Sequence, residues 1–360
     1  MTSIPERLEI GGQIIPLGEH REVELVVSQT YSNVPVSLPV SVWRAARPGP
    51  SVFVTAAVHG DELNGTGIVR EIMLNAPFSL VAGTLILVPV VNMLGFERHS
   101  RYLPDRRDLN RCFPGSTEGS LARRLAYVVF QAIVSQCHYG IDIHTAAVRR
   151  TNFPNVRGDL DDPGVARLAR AFGCELLVHG KGPKGSLRRS ACNAGRPTIS
   201  LEAGEVWKIE PTMVEWGVRG IRNVLIDLNM VEGRPTQPKY RARIDKTRWL
   251  RAEVGGVLQF HVGPGEVVDE GQPIATNSTL HGKEQNVLCA PTDGILLGIT
   301  TLPAVTPGDP VCHLAIPRDG IAGIREISKR LSNRSLHERL REDLATSVSI
   351  TDRDPEPEPT

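Results

Sequence analysis

From Ser51 to Met230, short β-rich runs alternate with stretches of helical periodicity, and this alternation limits what the chain can fold into. SVFVTAAV (51–58) reads as a buried strand, DELNGTGIVREIML (61–74) as a helix and GTLILVPVVN (83–92) as a second strand. SLARRLAYVVFQAIVSQC (120–137) reads as a helix, HYGIDIHTA (138–146) as a strand, and PGVARLARAFG (163–173) as a helix opened by Pro163 and closed by Gly173. CELLVHG and PTISLEAGE follow as strands, and PTMVEWGVRGIRNVLIDLNM (211–230) as a closing helix. The pattern predicts an α/β fold with a mixed, largely parallel sheet flanked by helices. Binding sites in such sheets gather at the carboxyl ends of the strands.

Around this core the chain changes character. Residues 1–44 read as a β segment packed on a catalytic domain of residues 45–230, and the turn-rich stretch 231–240 as a linker. Residues 241–317 read as a small all-β module of short strands separated by Gly, Pro and Asp turns, with GPGEVVDEGQPIA echoed by PAVTPGDPVCHLA. Residues 318–360 form a charged tail, with a charged surface helix over IREISKRLSNRSLHERLREDLATS and a disordered end, TDRDPEPEPT. Lys and Arg number 41 against 40 Asp and Glu, a balance that excludes a general polyanion binder, and 5% aromatics leave little for stacking on single-stranded nucleic acid. No window approaches 18 uninterrupted apolar residues, so no membrane partner is expected. The six cysteines are scattered without a CxxC, as in a reduced, cytoplasmic protein.

Three motifs carry chemistry. His59-Gly60-Asp61-Glu62 ends one buried strand, and Asp142-Ile143-His144 ends another. A hydrolytic zinc site needs three His or carboxylate ligands and one open position, and His59, Glu62 and His144 supply that set. Taken singly, HGDE also fits an acidic helix N-terminus, and there is no HExxH helix. The third motif shifts the balance: Arg101-Tyr102-Leu103-Pro104-Asp105, then Arg107-Asp108-Leu109-Asn110-Arg111-Cys112-Phe113-Pro114-Gly115. Arginines in a proline-bounded loop suit a carboxylate, because guanidinium offers two parallel donors. Arg150 and Asn152 directly follow the His144 strand and are candidates for reading the substrate's acyl group or side chain, with a solvated basic turn as the competing reading. His99, His138 and His179 read as packing or surface residues.

HGDE, RDLNRCFPG, DIHT and ISLEAGE, in that order across roughly residues 45–230, resemble the succinylglutamate desuccinylase/aspartoacylase family of zinc-dependent amidohydrolases, grouped with the zinc carboxypeptidases. The resemblance implies a zinc-carboxypeptidase-like fold and one Zn2+ per chain held by His59, Glu62 and His144. It implies that Asp108 steers His59, that Asn110 and Arg111 hold the substrate's free carboxylate, and that Arg101 polarises the scissile carbonyl. Glu202 would be the general base for a water on the metal, with Glu205 as the alternative. The spacing from Arg101 to the DLNR motif is longer than in better known deacylases, so Arg98, Arg106 and Arg107 compete for its role. Tyr240 is the one candidate for the C-terminal tyrosine of some relatives. The β-rich module resembles the lipoyl-like or barrel-sandwich domains of bacterial members, and Lys283 lacks the flanks of a carrier lysine, so a structural role is expected.

The activity so implied is cleavage of the amide bond of an N-acyl amino acid or related small carboxylate-bearing amide. The partner is that small molecule, with a homo-oligomer left open. Two competing readings are a zinc carboxypeptidase acting on short peptides and a catalytically silent binding or carrier protein.

Overall fold

The computed structural model describes residues 7–328, 330–331 and 335–345; the expected disordered end falls outside them. The chain divides into two compact units, one running to Val148 and then from Pro154 to Asp245, the other made of Arg149–Phe153 and the chain from Lys246 onward.

The first unit opens with a hairpin of β1 (Leu8–Ile10) and β2 (Gln13–Ile15), followed by the long strands β3 (His20–Gln29) and β4 (Pro35–Arg44). Next come β5 (Ser51–Ala56), α1 (Leu63–Asn75), β6 (Thr84–Val88), α2 (Met93–Phe96), α3 (Leu121–Ala132) and β7 (Tyr139–His144). They are followed by β8 (Arg150–Gly158), α4 (Pro163–Phe172), β9 (Leu176–His179), α5 (Leu187–Asn193), β10 (Thr198–Glu205), α6 (Pro211–Asp227) and the start of β11 (Ala242–Arg251). Within this unit the strand order is β11-β9-β8-β10-β7-β5-β6-β4-β3. β5 lies parallel to β6 and β7, and β10 parallel to β7, whereas β4 runs antiparallel to β6 and β3 antiparallel to β4. The sheet is therefore mixed, and the N-terminal strands extend it.

Every residue of β5 and β6 is buried, because helices cover the sheet. On one face α1, α4 and α6 pack together, with Phe172 edge-on to Trp216 at 4.8 Å. On the other, Leu125 and Val129 of α3 join a core with Phe53, Ile86, Leu38 and Val40. As expected, Pro163 opens α4 and Gly173 closes it at φ +82°, and Asp162 caps it by accepting from the backbone N–H groups of Gly164 and Val165.

In the second unit, Arg150–Asn152 pair antiparallel with β16 (Gly294–Thr300). The remaining elements are β12 (Gly256–Phe260), β13 (Val267–Val268), β14 (Pro273–Ser278), β15 (Glu284–Cys289), β17 (Ala304–Val305), β18 (Pro310–Pro317), α7 (Ala322–Ser328) and α8 (Leu336–Leu344). β15, β14, β12 and β17 form a four-stranded sheet, and Leu258, Phe260, Ile274, Val311 and Leu314 share its core cluster. Lys283 closes the β14–β15 hairpin, its carbonyl accepting from Thr279 N–H at 2.8 Å.

Two local expectations need correction. The basic segment after His144 is a strand, Arg150–Gly158, whose pairing with distant partners no local signal specifies. Leu187–Asn193 also form a short helix, capped by Ser186. The charged surface helix is two short helices, and the second buries Leu336, Leu340 and Leu344 at four-residue spacing. No helix among the described residues is long and apolar enough to cross a membrane.

Candidate metal centre

The carboxyl ends of β5, β7 and β10 converge on one group of side chains. β5 turns at Ala57, which has a left-handed φ of +48°, and the next residues bring His59 and Glu62 to the N-terminus of α1. Gly60 is required by close approach, since a Cβ there would collide with the backbone of Gly95 and Phe96. His144 ends β7, and Glu202 is its register partner on the parallel strand β10. Partners across a parallel pair project side chains to the same face. Two residues beyond Glu202, Gly204 takes φ +68°, and a Cβ there would strike the Glu210 carboxylate and Asn64.

Glu62, 2% exposed, sits between two imidazoles. Its Oε1 lies 2.6 Å from His59 Nδ1, and its Oε2 lies 2.8 Å from His144 Nδ1 while accepting the Thr145 N–H at 3.1 Å. The opposite ring nitrogens each meet a carboxylate, His59 Nε2 at 3.1 Å from Asp108 Oδ1 and His144 Nε2 at 2.8 Å from Asp142 Oδ2. Asp142 is held in turn by the Thr55 hydroxyl, which donates to its Oδ1 at 2.9 Å. Both rings therefore turn Nδ1 toward the same point, and ligand atoms of His59, Glu62 and His144 all lie within 4.8 Å of one another. Two imidazole nitrogens and one carboxylate oxygen, with an acidic partner behind each ring, are the donor chemistry a divalent ion such as zinc takes. These residues could hold a metal.

The electrostatics follow from this packing. Burial opposes charge on the His59 and His144 imidazoles, but the surrounding carboxylates outweigh it and raise both pKa values above the ordinary histidine range. Burial likewise opposes charge on Glu62 and Asp108, yet the adjoining histidines, and for Asp108 also Arg101, hold both carboxyls well below the usual carboxylate range. Asp61 is pushed up instead, by burial and then by the Glu62 charge. Without a metal the cluster is thus a network of paired charges, in which a cation can take over the role of the imidazole protons.

Arg101 bridges the network, with Nη1 3.3 Å from Glu62 Oε1 and Nη2 3.1 Å from Asp108 Oδ2. Its three competitors, Arg98, Arg106 and Arg107, are exposed, and Arg107 lies 3.8 Å from Asp105. Arg111 is half-exposed, donates to the Asn110 carbonyl at 2.8 Å and lies 3.9 Å from Asp108. Asn110 is buried, its Oδ1 accepting from the Leu187 N–H at 2.9 Å and its Nδ2 3.4 Å from His144 Nε2. Its amide thus braces the loop against α5 as well as facing the centre. Arg157 Nε lies 3.5 Å from Glu202 Oε1. Glu205 instead pairs with Lys208 at 2.6 Å.

Arg150 and Asn152 lie in the second unit, where the Arg150 guanidinium sits 4.9 Å over the Trp249 ring and Asn152 opposes Gly298. Tyr240 is buried, at 7% exposure. His138 packs at the opposite end of β5, its Nδ1 accepting the Ser51 N–H at 3.0 Å. His179 joins Asp159 and Asp161 in a second, more exposed group of metal-ligand type. Sequence reasoning missed Asp142 and Arg157. For Asp142 the signal was present, because residues two apart on a strand share a face and Asp142-Ile143-His144 puts both side chains together; Arg157 carried none.

A family model described as the succinylglutamate desuccinylase/aspartoacylase catalytic domain matches residues 48–228. The chain belongs to this family. A relative from Halomonas elongata, N-alpha-acetyl-L-2,4-diaminobutyric acid deacetylase, is 26% identical over 294 residues, covering 78% of this chain and 86% of the relative. Among solved structures, a succinylglutamate desuccinylase/aspartoacylase from Rhodobacter sphaeroides is 25% identical with a TM-score of 0.71, covering 84% of this chain and 98% of that one. The product-bound ectoine utilization protein EutE (DoeB) from Ruegeria pomeroyi shares the fold at 21% identity and a TM-score of 0.72, over 84% and 97% of the two chains. The mixed α/β fold is thus that of the family's solved structures, and the relatives' names include a deacetylase and a succinylglutamate desuccinylase/aspartoacylase.

Proposed function

We propose that this chain is a zinc-dependent deacylase that cleaves the amide bond of an N-acyl amino acid carrying a free carboxylate. The observation that carries the reading is the joint arrangement of His59, Glu62 and His144, each imidazole backed by its own carboxylate, with Glu202 beside His144 on the next strand. The ligands would be His59 Nδ1, His144 Nδ1 and the Glu62 carboxylate. Zinc in that set would supply Lewis acidity and bring the pKa of a water toward about 7.

The chain's own groups do the rest. Glu202, its Oε1 3.5 Å from Arg157 Nε, takes the proton from the attacking water and returns it to the leaving nitrogen. Arg101 turns an N–H toward the oxygen that gains charge as the carbonyl becomes tetrahedral. Arg111, exposed enough to meet a ligand, holds the substrate's carboxylate together with the Asn110 amide. The Halomonas relative makes N-alpha-acetyl-L-2,4-diaminobutyrate the first substrate to try.

The test is amine release from that compound and from a panel of N-acyl amino acids, with dipeptides in parallel. Chelation abolishes turnover and added zinc restores it; His59→Ala and His144→Ala lose the metal. Full activity in a metal-free sample defeats the proposal, and preference for dipeptides moves the reading to a carboxypeptidase.

A further inference from the structure

Trp207 is in an unusual position for a tryptophan. It follows β10 in a tight turn, 54% exposed, with a left-handed φ of +59°. A bulky side chain rarely takes that conformation, and strain of this kind persists only where surrounding contacts impose it. They do so here. The Glu210 backbone N–H donates to Asn64 Oδ1 at 2.7 Å, Asn64 Nδ2 donates back to Glu210 Oε2 at 2.6 Å, and Lys208 closes on Glu205 at 2.6 Å. Two other left-handed residues, Ala76 and Asn229, lie just past the ends of α1 and α6, where that conformation is ordinary. Trp207 terminates no helix.

Its two donors join separate parts of the centre. The backbone N–H donates to the Asp61 carbonyl at 2.9 Å, in the turn between His59 and Glu62. The indole Nε1–H donates to the His99 carbonyl at 3.3 Å, two residues before Arg101. His99 is itself left-handed, at φ +50°. Because the ring is half in solvent, it contributes little burial; what an indole supplies here and a phenyl ring cannot is the N–H.

We propose that Trp207 is a positioning residue for Arg101, tying the loop that carries this arginine to the turn that carries His59 and Glu62. The kinetic part of this inference rests on the deacylase reading; the exchange part does not. In the zinc-loaded full chain, Trp207→Phe lowers kcat by about 10- to 100-fold, the cost of a misplaced group, with KM and zinc affinity near wild type. Amide exchange at residues 97–103 quickens while the rest of the fold keeps its protection. In an Arg101→Ala background Trp207→Phe adds almost nothing to the loss, because neighbours acting through one group are not additive. Trp207→Gly removes the backbone strain, so its Tm equals or exceeds wild type while its kcat falls like that of Trp207→Phe. Wild-type exchange at residues 97–103 in Trp207→Phe overturns the tie, whether or not a substrate is known. Faster exchange with wild-type kcat, or full additivity with Arg101→Ala, overturns the action through Arg101. A wild type that hydrolyses no N-acyl amino acid fails the deacylase reading alone.

Discussion

Replacing Asp142 by Asn is the sharpest test of how the candidate metal centre is built. Asp142 is completely buried at 0% exposure, accepts the Thr55 hydroxyl on Oδ1 at 2.9 Å and faces His144 Nε2 with Oδ2 at 2.8 Å. A carboxylate accepts at both oxygens, so Nε2 must carry a proton, and once a metal replaces the proton between Nδ1 and Glu62, Nδ1 supplies the lone pair. In the near-isosteric Asn variant, the Thr55 hydroxyl keeps the amide oxygen on its own side and the amide NH2 turns toward His144. Nε2 must then become the acceptor and the proton moves to Nδ1, facing Glu62. The imidazole is held in place but in the wrong tautomer. Loss of such an outer partner costs about 10- to 100-fold in metal affinity, or about 1.4–2.7 kcal/mol. Zinc affinity measured by competition with a chromophoric chelator, well below the melting temperature, reads this directly, with circular dichroism to verify the fold. A folded Asp142→Asn protein that binds zinc within a factor of about two of wild type would refute the tautomer argument, since it predicts no less than a tenfold loss.

Other expectations follow from the same geometry. Glu202→Gln retains the metal, because Glu202 is outside the ligand group, but loses about 10²- to 10⁴-fold in kcat, the usual worth of a general base; loss of metal in that variant means the residue is a ligand instead. Arg111→Gln raises KM with kcat little changed; an unchanged KM removes Arg111 from the substrate site. A pH effect is expected in the second unit, where His337, 5% exposed and edge-on to Phe153 at 5.2 Å, has its pKa pushed down to about 4, by burial and then by Arg341. An unfolded histidine titrates near 6.5, so as pH falls from about 6.5 to about 4 the unfolded chain takes up a proton that the folded chain refuses. The stability difference between wild type and His337→Leu shifts against wild type by about 3 kcal/mol across that window, read by urea unfolding. A difference independent of pH shows that His337 is not buried as described.

Much of the first unit was legible because its signals are local. Pro163 and Gly173 bound a helix by their own backbone geometry, and strands 51–56 and 139–144 are short β-rich runs, buried at every residue but Tyr139 because both faces of the sheet are covered. The segment 150–158 was not legible, since a basic, turn-like sequence becomes a strand only through partners more than 20 residues away at Leu177 and nearly 150 away at Gly298.

The residue types of the candidate site were likewise written in the chain: His59 and Glu62 at the three-residue spacing of one turn, His144 at a strand end, and Glu202 ahead of a glycine that must turn. Tertiary structure alone decided their meeting. Glu62 and His144 are 82 residues apart, and Glu202 comes beside His144 only through the register of β10 on β7, where a slip of one residue would turn its side chain to the other face. It also decided which arginine reaches the centre, since four lie between Arg98 and Arg107 and the loop's path brings Arg101 to both Glu62 and Asp108. Composition and periodicity specify which groups a chain has and which face each presents. Pairings across such sequence distances depend on packing the whole sheet.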